Sequence, residues 1–218
     1  MTFSSLNQPI YSPPLQKIVE LIHLKKFKEA EEKLEKGVAE SKKNKDPVLE
    51  ACIYSIWGML CRLKQENKTA WRYYEKAEKL LPENPSLKLI SARLLSEVFN
   101  QYETAIKKCE KVLKLANKSR PLCHQAQSLL GWIYLKKGNS KKALKFLEEA
   151  MEDNFSRMIS AQNIDFKLIE ALLRKKIGFK ECRNYLEKAL QFAEKMKEPK
   201  EVEKIRQVLV HFPTVSSP

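Results

Sequence analysis

Small side chains recur along this chain at a near-constant interval. Ala30, Ala70, Ala105, Ala143 and Cys182 stand 40, 35, 38 and 39 residues apart. Four residues after each comes Leu34, Tyr74, Cys109, Leu147 or Leu186, and seven after comes Gly37, Ala77, Val112, Ala150 or Ala189. Offsets of four and seven fall on one face of a helix. Two further glycines, Gly58 and Gly131, precede Ala70 and Ala143 by twelve residues. Each unit therefore reads as two helices whose small residues let them approach closely, with bulkier residues filling the groove one turn along. A single such hairpin cannot bury its own apolar face, so several must stack.

Composition agrees with helices. Lys, Glu, Leu and Ala dominate, all straight-chain or small helix formers, and the 218 residues hold only 5 Gly. Breakers fall between the helical stretches, at Lys64–Asn67, Pro82–Pro85, Asn117–Pro121 and Lys137–Asn139. A last helix, Lys200–Val210, follows Pro199 and reads as a terminal cap. The expected architecture is all-α: a right-handed α-solenoid of about five helix-turn-helix units plus a C-terminal capping helix. It occupies 13–211, between uncharged flexible tails at 1–12 and 212–218.

The pattern resembles the tetratricopeptide repeat, a two-helix unit of about 34 residues. Gly58, Ala70, Tyr74, Ala77 and Pro82 match its small–small–aromatic–small–Pro marks. Gly131, Tyr134, Ala143, Leu147 and Ala150 do so without the final Pro. The units here are longer than the family standard, the first lacks a Gly in its first helix, and the third has Arg93 where a small residue belongs.

The resemblance implies a concave groove lined by the first helix of each hairpin. Carried over from Gly58, its positions are Cys52, Ser55, Met59, Arg62 and Leu63 in the second unit. In the third they are Leu87, Ile90, Leu94, Glu97 and Val98. The fourth supplies Gln125, Ser128, Trp132, Leu135 and Lys136, and the fifth Ile164, Lys167, Ala171, Arg174 and Lys175. The expected groove is apolar in the middle, around Leu94 and Trp132, and basic at its C-terminal end. It suits a protein partner that offers an amphipathic or acidic peptide segment. Family members that grip a terminal carboxylate do so with Lys and Asn. The matching positions here, Leu15, Val19, Ile56, Leu87 and Ser91, are none of these, so that mode is not expected.

The net charge is +14, carried by 41 Lys and Arg against 27 Asp and Glu. Residues 100–147 alone contribute 11 basic and 2 acidic side chains. Lys107, Lys108, Lys111, Lys114 and Lys118 line up on one helix, and Lys141, Lys142 and Lys145 on another. Such a stripe offers an alternative function, binding RNA, DNA or an anionic surface. Arg, which forks onto phosphates and bases, is scarce, so a solvated face is the plainer reading. Self-association through the apolar strip is a third possibility.

Catalysis is not expected. The three histidines are His23, His124 and His211, and no metal-ligand spacing, nucleophile motif or phosphate-binding Gly loop occurs. Cys123 and His124 are neighbours, but adjacent helical residues point about 100° apart. Cys61, Cys109 and Cys182 fall on core positions and read as small apolar fillers. No metal or cofactor is expected. Five cysteines without a paired spacing fit reduced thiols. With no basic-then-apolar leader at the start, a cytoplasmic location is the expectation.

Overall fold

The computed structural model describes residues 12–116, 119–210 and 212. Eleven α-helices and no strand occur among them. They are α1 (Pro13–His23), α2 (Phe27–Lys43), α3 (Pro47–Leu63), α4 (Asn67–Leu80), α5 (Pro85–Glu97), α6 (Tyr102–Leu115), α7 (Arg120–Lys136), α8 (Ser140–Ala150), α9 (Lys167–Arg174), α10 (Phe179–Lys195) and α11 (Pro199–Val210). Each odd-numbered helix packs on the even one that follows it, and α11 lies on α10. This is the all-α architecture of five hairpins and a terminal helix that the periodicity predicts.

Local chemistry sets the helix ends. Pro occupies the first turn of α1, α3, α5 and α7, where its missing N–H costs nothing. The Asp46, Asn84 and Asn139 side chains accept from Leu49 N–H (2.9 Å), Leu87 N–H (3.1 Å) and Lys142 N–H (3.0 Å), capping α3, α5 and α8. Three hairpins turn alike. Lys25, Gln65 and Gly138 take positive φ. The following N–H then returns to a carbonyl five residues back: Lys26 to Leu21 (2.9 Å), Glu66 to Cys61 (2.8 Å) and Asn139 to Tyr134 (2.8 Å).

The five recurring small residues are fully buried in the second helices. Gly58 is Gly because a Cβ there would run into the Tyr74 ring. The chain divides into two compact units, one within Gln8–Leu115 and one within Ala116–Pro218. In the first, Leu15, Ile18, Val19 and Ile22 of α1 pack with Ala30, Leu34, Ile53, Ile56 and Leu60. In the second, α8 is followed by the segment 151–166, which contains two 3-10 turns, Glu152–Phe155 and Ala161–Asn163. Those residues take the place of the first part of the fifth unit's first helix, leaving α9 only 8 residues long. Phe155 from this segment is buried edge-on to Tyr185 at 5.2 Å between ring centroids.

Two expectations need correction here. Phe212, placed in the tail, is buried and sits edge-on to Phe179 at 6.2 Å. Ile164, placed on the groove face of the fifth unit, precedes α9 and is buried. Ser12, also placed in a tail, is the residue before α1, and its carbonyl accepts from Leu15 N–H at 2.9 Å. Tail positions 1–11 and 213–218, and His211, lie outside the described residues.

Candidate functional site

The third hairpin departs from the first, second and fourth by one residue. Its turn closes with Gln101 N–H on Leu95 O at 2.9 Å, six residues back rather than five. Leu95 is thus the counterpart of Cys61 and Tyr134, and Ala92, fully buried, stands where Gly58 and Gly131 stand. Arg93 then takes the first-helix position of Met59 and Trp132. Leu94 takes that of Leu60 and Ile133, and all three are fully buried. Leu94 is 0% exposed and packs with Cys61, Ala70 and Tyr74. Its assignment to the groove surface is corrected: it is a core residue, because the extra turn residue shifts the register.

The first-helix face of this unit is less apolar than expected. Arg62 Nη2 lies 3.6 Å from Glu97 Oε2, and Arg93 Nη1 3.7 Å from Glu97 Oε1, all three side chains being largely sheltered. This ion-pair cluster bridges α3 and α5 and lies among the apolar positions. Met59 and Leu63 are half-buried beside the α1–α3 core. Ile90 and Val98 are half-buried against the Leu94 cluster.

In the second unit, Trp132 and Lys136 are one turn apart on α7, and Lys167 opens α9. Both ammonium groups approach the Trp132 ring, Lys167 Nζ at 4.4 Å and Lys136 Nζ at 5.2 Å from its centroid. Cation–π attraction holds them there, and Trp132 is 8% exposed beneath them. Arg174 is exposed, with its Nε donating to Glu170 O at 3.2 Å. Leu135 is 2% exposed and belongs to the core, a second correction to the groove set.

A buried polar knot was missed in the sequence. The Arg120 guanidinium, 5% exposed, donates to the carbonyls of Glu149 (3.1 Å), Ala150 (2.8 Å) and Glu152 (3.3 Å) and to Gln127 Oε1 (3.0 Å). His124 Nε2 accepts from Asp165 N–H at 2.9 Å, which places the ring proton on Nδ1, donating to Ala150 O at 2.8 Å. The pair caps the C-terminal carbonyls of α8 and moors the long segment after it. Cys123 Sγ instead faces Ala116 O at 3.1 Å, so Cys123 and His124 do not address each other. Spacing offered one signal: Arg120 and His124 are one turn apart at the start of a first helix, in an otherwise apolar pattern.

The lysine stripe is partly neutralised. Lys108 Nζ bonds Glu78 at 2.6 Å, Lys111 Nζ bonds Glu83 at 2.8 Å, and Lys145 lies 3.7 Å from Glu149. Glu83 has its pKa held down by its hydrogen bond from Lys111. Lys142 Nζ rests 4.6 Å from the Tyr134 ring centroid. Lys107, Lys114 and Lys141 are exposed. Lys118 lies outside the described residues.

The thiols of Cys61, Cys109 and Cys182 are buried. Burial pushes them up, to about 11 for Cys61 and about 12 for Cys109 and Cys182. Among the described residues, no three His, Cys, Asp or Glu side chains are grouped to hold a metal ion. No helix among them is long and apolar enough to cross a membrane.

Residues 126–157, which span most of α7 and all of α8, match the tetratricopeptide repeat family model. The fold is that of solved tetratricopeptide-repeat proteins. PilW, a widely conserved type IV pilus biogenesis factor, superposes with a TM-score of 0.62 at 14% identity, over 93% of this chain and 94% of that one. A thermophilic TPR protein of Thermus thermophilus gives 0.62 at 15% identity, over 90% and 97%. The apo form of RapI gives 0.66 at 16% identity, over 93% and 77%. No curated protein matches the sequence.

Proposed function

We propose that this chain is a non-catalytic interaction scaffold or adaptor, whose first-helix faces hold an acidic or amphipathic peptide segment of a partner protein. A stack of helical hairpins offers a broad side-chain surface. The observation that carries the peptide reading is Trp132 with Lys136 and Lys167 on its ring. Two like charges brought to one aromatic ring repel each other. A partner segment bearing carboxylates relieves that repulsion by pairing with the two ammonium groups, which the buried indole holds in place. Met59 and Arg93, at the equivalent positions of the first unit, extend the same pattern of apolar and cationic contacts.

The test is affinity capture with wild type, Met59→Glu and Trp132→Ala, with and without nuclease, at low and high salt. The expected result is a protein held by wild type, indifferent to nuclease and lost with Trp132→Ala. Equal retention by all variants would overturn the reading. Polyanion binding through Lys107, Lys114 and Lys141 is the second reading, favoured by their exposure. It requires recovery of nucleic acid that disappears at high salt with all variants alike.

A further inference from the structure

We propose that the first unit carries a second docking site, away from the first-helix face, which takes one apolar side chain of an acidic peptide. The site is an open cleft of about 300 Å³ between α4 and the α5–α6 turn, lined by Lys68, Trp71, Arg72, Leu95, Phe99 and Gln101.

The cleft comes from the longer third turn. The corresponding turns of the second and fourth hairpins, Lys64–Glu66 and Lys137–Asn139, contain no aromatic residue. Here the extra residue brings Phe99 to the rim, with Phe99 N–H on Leu94 O at 3.4 Å and Asn100 at φ 54°. Phe99 and Trp71 are each only half-buried, above the buried side chain of Leu95. Two large rings and a Leu thus form an apolar recess left open to water, the kind of surface that marks a binding site.

Charge tells which ligand fits. Lys68 and Arg72 are one turn apart on α4, both exposed and in no ion pair among the described residues. No carboxylate lines the cleft. A ligand with one apolar side chain flanked by carboxylates fills the recess and meets both cations, Arg72 with its bidentate fork. At about 300 Å³ the cleft lies at the small end of the range for ligand pockets, about 300–1,000 Å³, which suits a side chain better than a whole cofactor. A stacked nucleic-acid base is disfavoured. Lys108 Nζ, held by Glu78, lies 6.0 Å from the Trp71 centroid and screens that ring.

The experiment is fluorescence polarisation on the full chain, with the fluorescein-labelled peptide Glu-Glu-Leu-Phe-Glu-Glu as probe and Lys-Lys-Leu-Phe-Lys-Lys as its control. The acidic peptide is expected to bind below about 1 mM and the basic one not to bind. Arg72→Glu, Lys68→Glu and Phe99→Ala should each weaken binding about tenfold or more, with helicity by circular dichroism unchanged. Met59→Glu and Trp132→Ala should leave it intact, which separates this site from the first-helix faces. Absence of acidic-peptide binding overturns the proposal, and so does binding indifferent to Arg72→Glu and Lys68→Glu. A short labelled oligothymidylate that binds through Phe99 when the peptide does not would also overturn it.

Discussion

The Arg120 guanidinium donates to the carbonyl oxygen of Ala150 at 2.8 Å, thirty residues further along the chain. The same oxygen accepts from His124. One helix start thus caps the end of the next helix, and the contact replaces water at carbonyls that α8 leaves without intrahelical partners. Arg120→Ala should destabilise the second unit by about 2–3 kcal/mol, because buried carbonyls lose their donor. Arg120→Lys should recover only part of this, since one ammonium cannot fork across three carbonyls. Urea unfolding followed by circular dichroism measures both. Equal stability of wild type and Arg120→Ala would show the cap to be energetically idle.

Leu94→Glu should unfold the first unit rather than silence a binding face. The side chain is enclosed by Cys61, Ala70 and Tyr74, and an ionised carboxylate placed there has no partner. Leu94→Ala should cost about 2–5 kcal/mol through the cavity it leaves. Arg93→Ala, one residue earlier, should be far milder. A thermal melt of the three variants ranks them, and a well-folded Leu94→Glu protein would refute the shifted register.

Gly58→Ala should lower stability by about 1–3 kcal/mol, since the new methyl meets an aromatic ring that cannot swing aside. Gly37→Ala is the contrast. Its Cβ would touch only the flexible end of Ile53, with Cδ1 at 3.0 Å, while mid-helix Ala is preferred over Gly by about 1 kcal/mol. That variant should be neutral or slightly stabilised, as chemical denaturation can read.

The buried thiols make stability fall at alkaline pH. Cys61, Cys109 and Cys182 stay protonated in the fold up to about 11, about 12 and about 12, whereas an unfolded thiol ionises near 8.5. Above the unfolded value the native state binds more protons, so unfolding becomes easier as pH rises. Stability is full below about pH 8 and declines towards the folded values. Urea midpoints at pH 7.5 and 10 test this, and replacing Cys109 by Ala should flatten the slope. In the native protein at pH 8, a thiol reagent should leave these three cysteines unmodified.

Much of the architecture was legible because it is written in local terms. Ala30, Ala70, Ala105, Ala143 and Cys182 mark each second helix by offsets within a single helical face. The prolines and Asn or Asp residues mark where helices begin. The third hairpin shows where that logic stops. Arg93 in the small-residue place and Ala92 just before it signalled the shift, but only the Gln101–Leu95 bond shows that the turn holds the extra residue. Leu94 and Leu135 were apolar residues at helical spacing, and spacing does not separate a residue facing a neighbour from one facing a partner. The Arg120–His124 cap showed in the sequence only as two polar residues one turn apart, because its acceptors are backbone carbonyls, which carry no signature of their own.

Periodicity alone determined the helical hairpins, their number and the buried small residues, since a helix repeats its face every few residues whatever surrounds it. Tertiary structure alone decided which side chains of each first helix stay open, which lysines are neutralised, and that Trp71 and Phe99 share a cleft. Those outcomes depend on turn length and on contacts between residues some 30 positions apart, where one added residue rotates a helix face by about 100°.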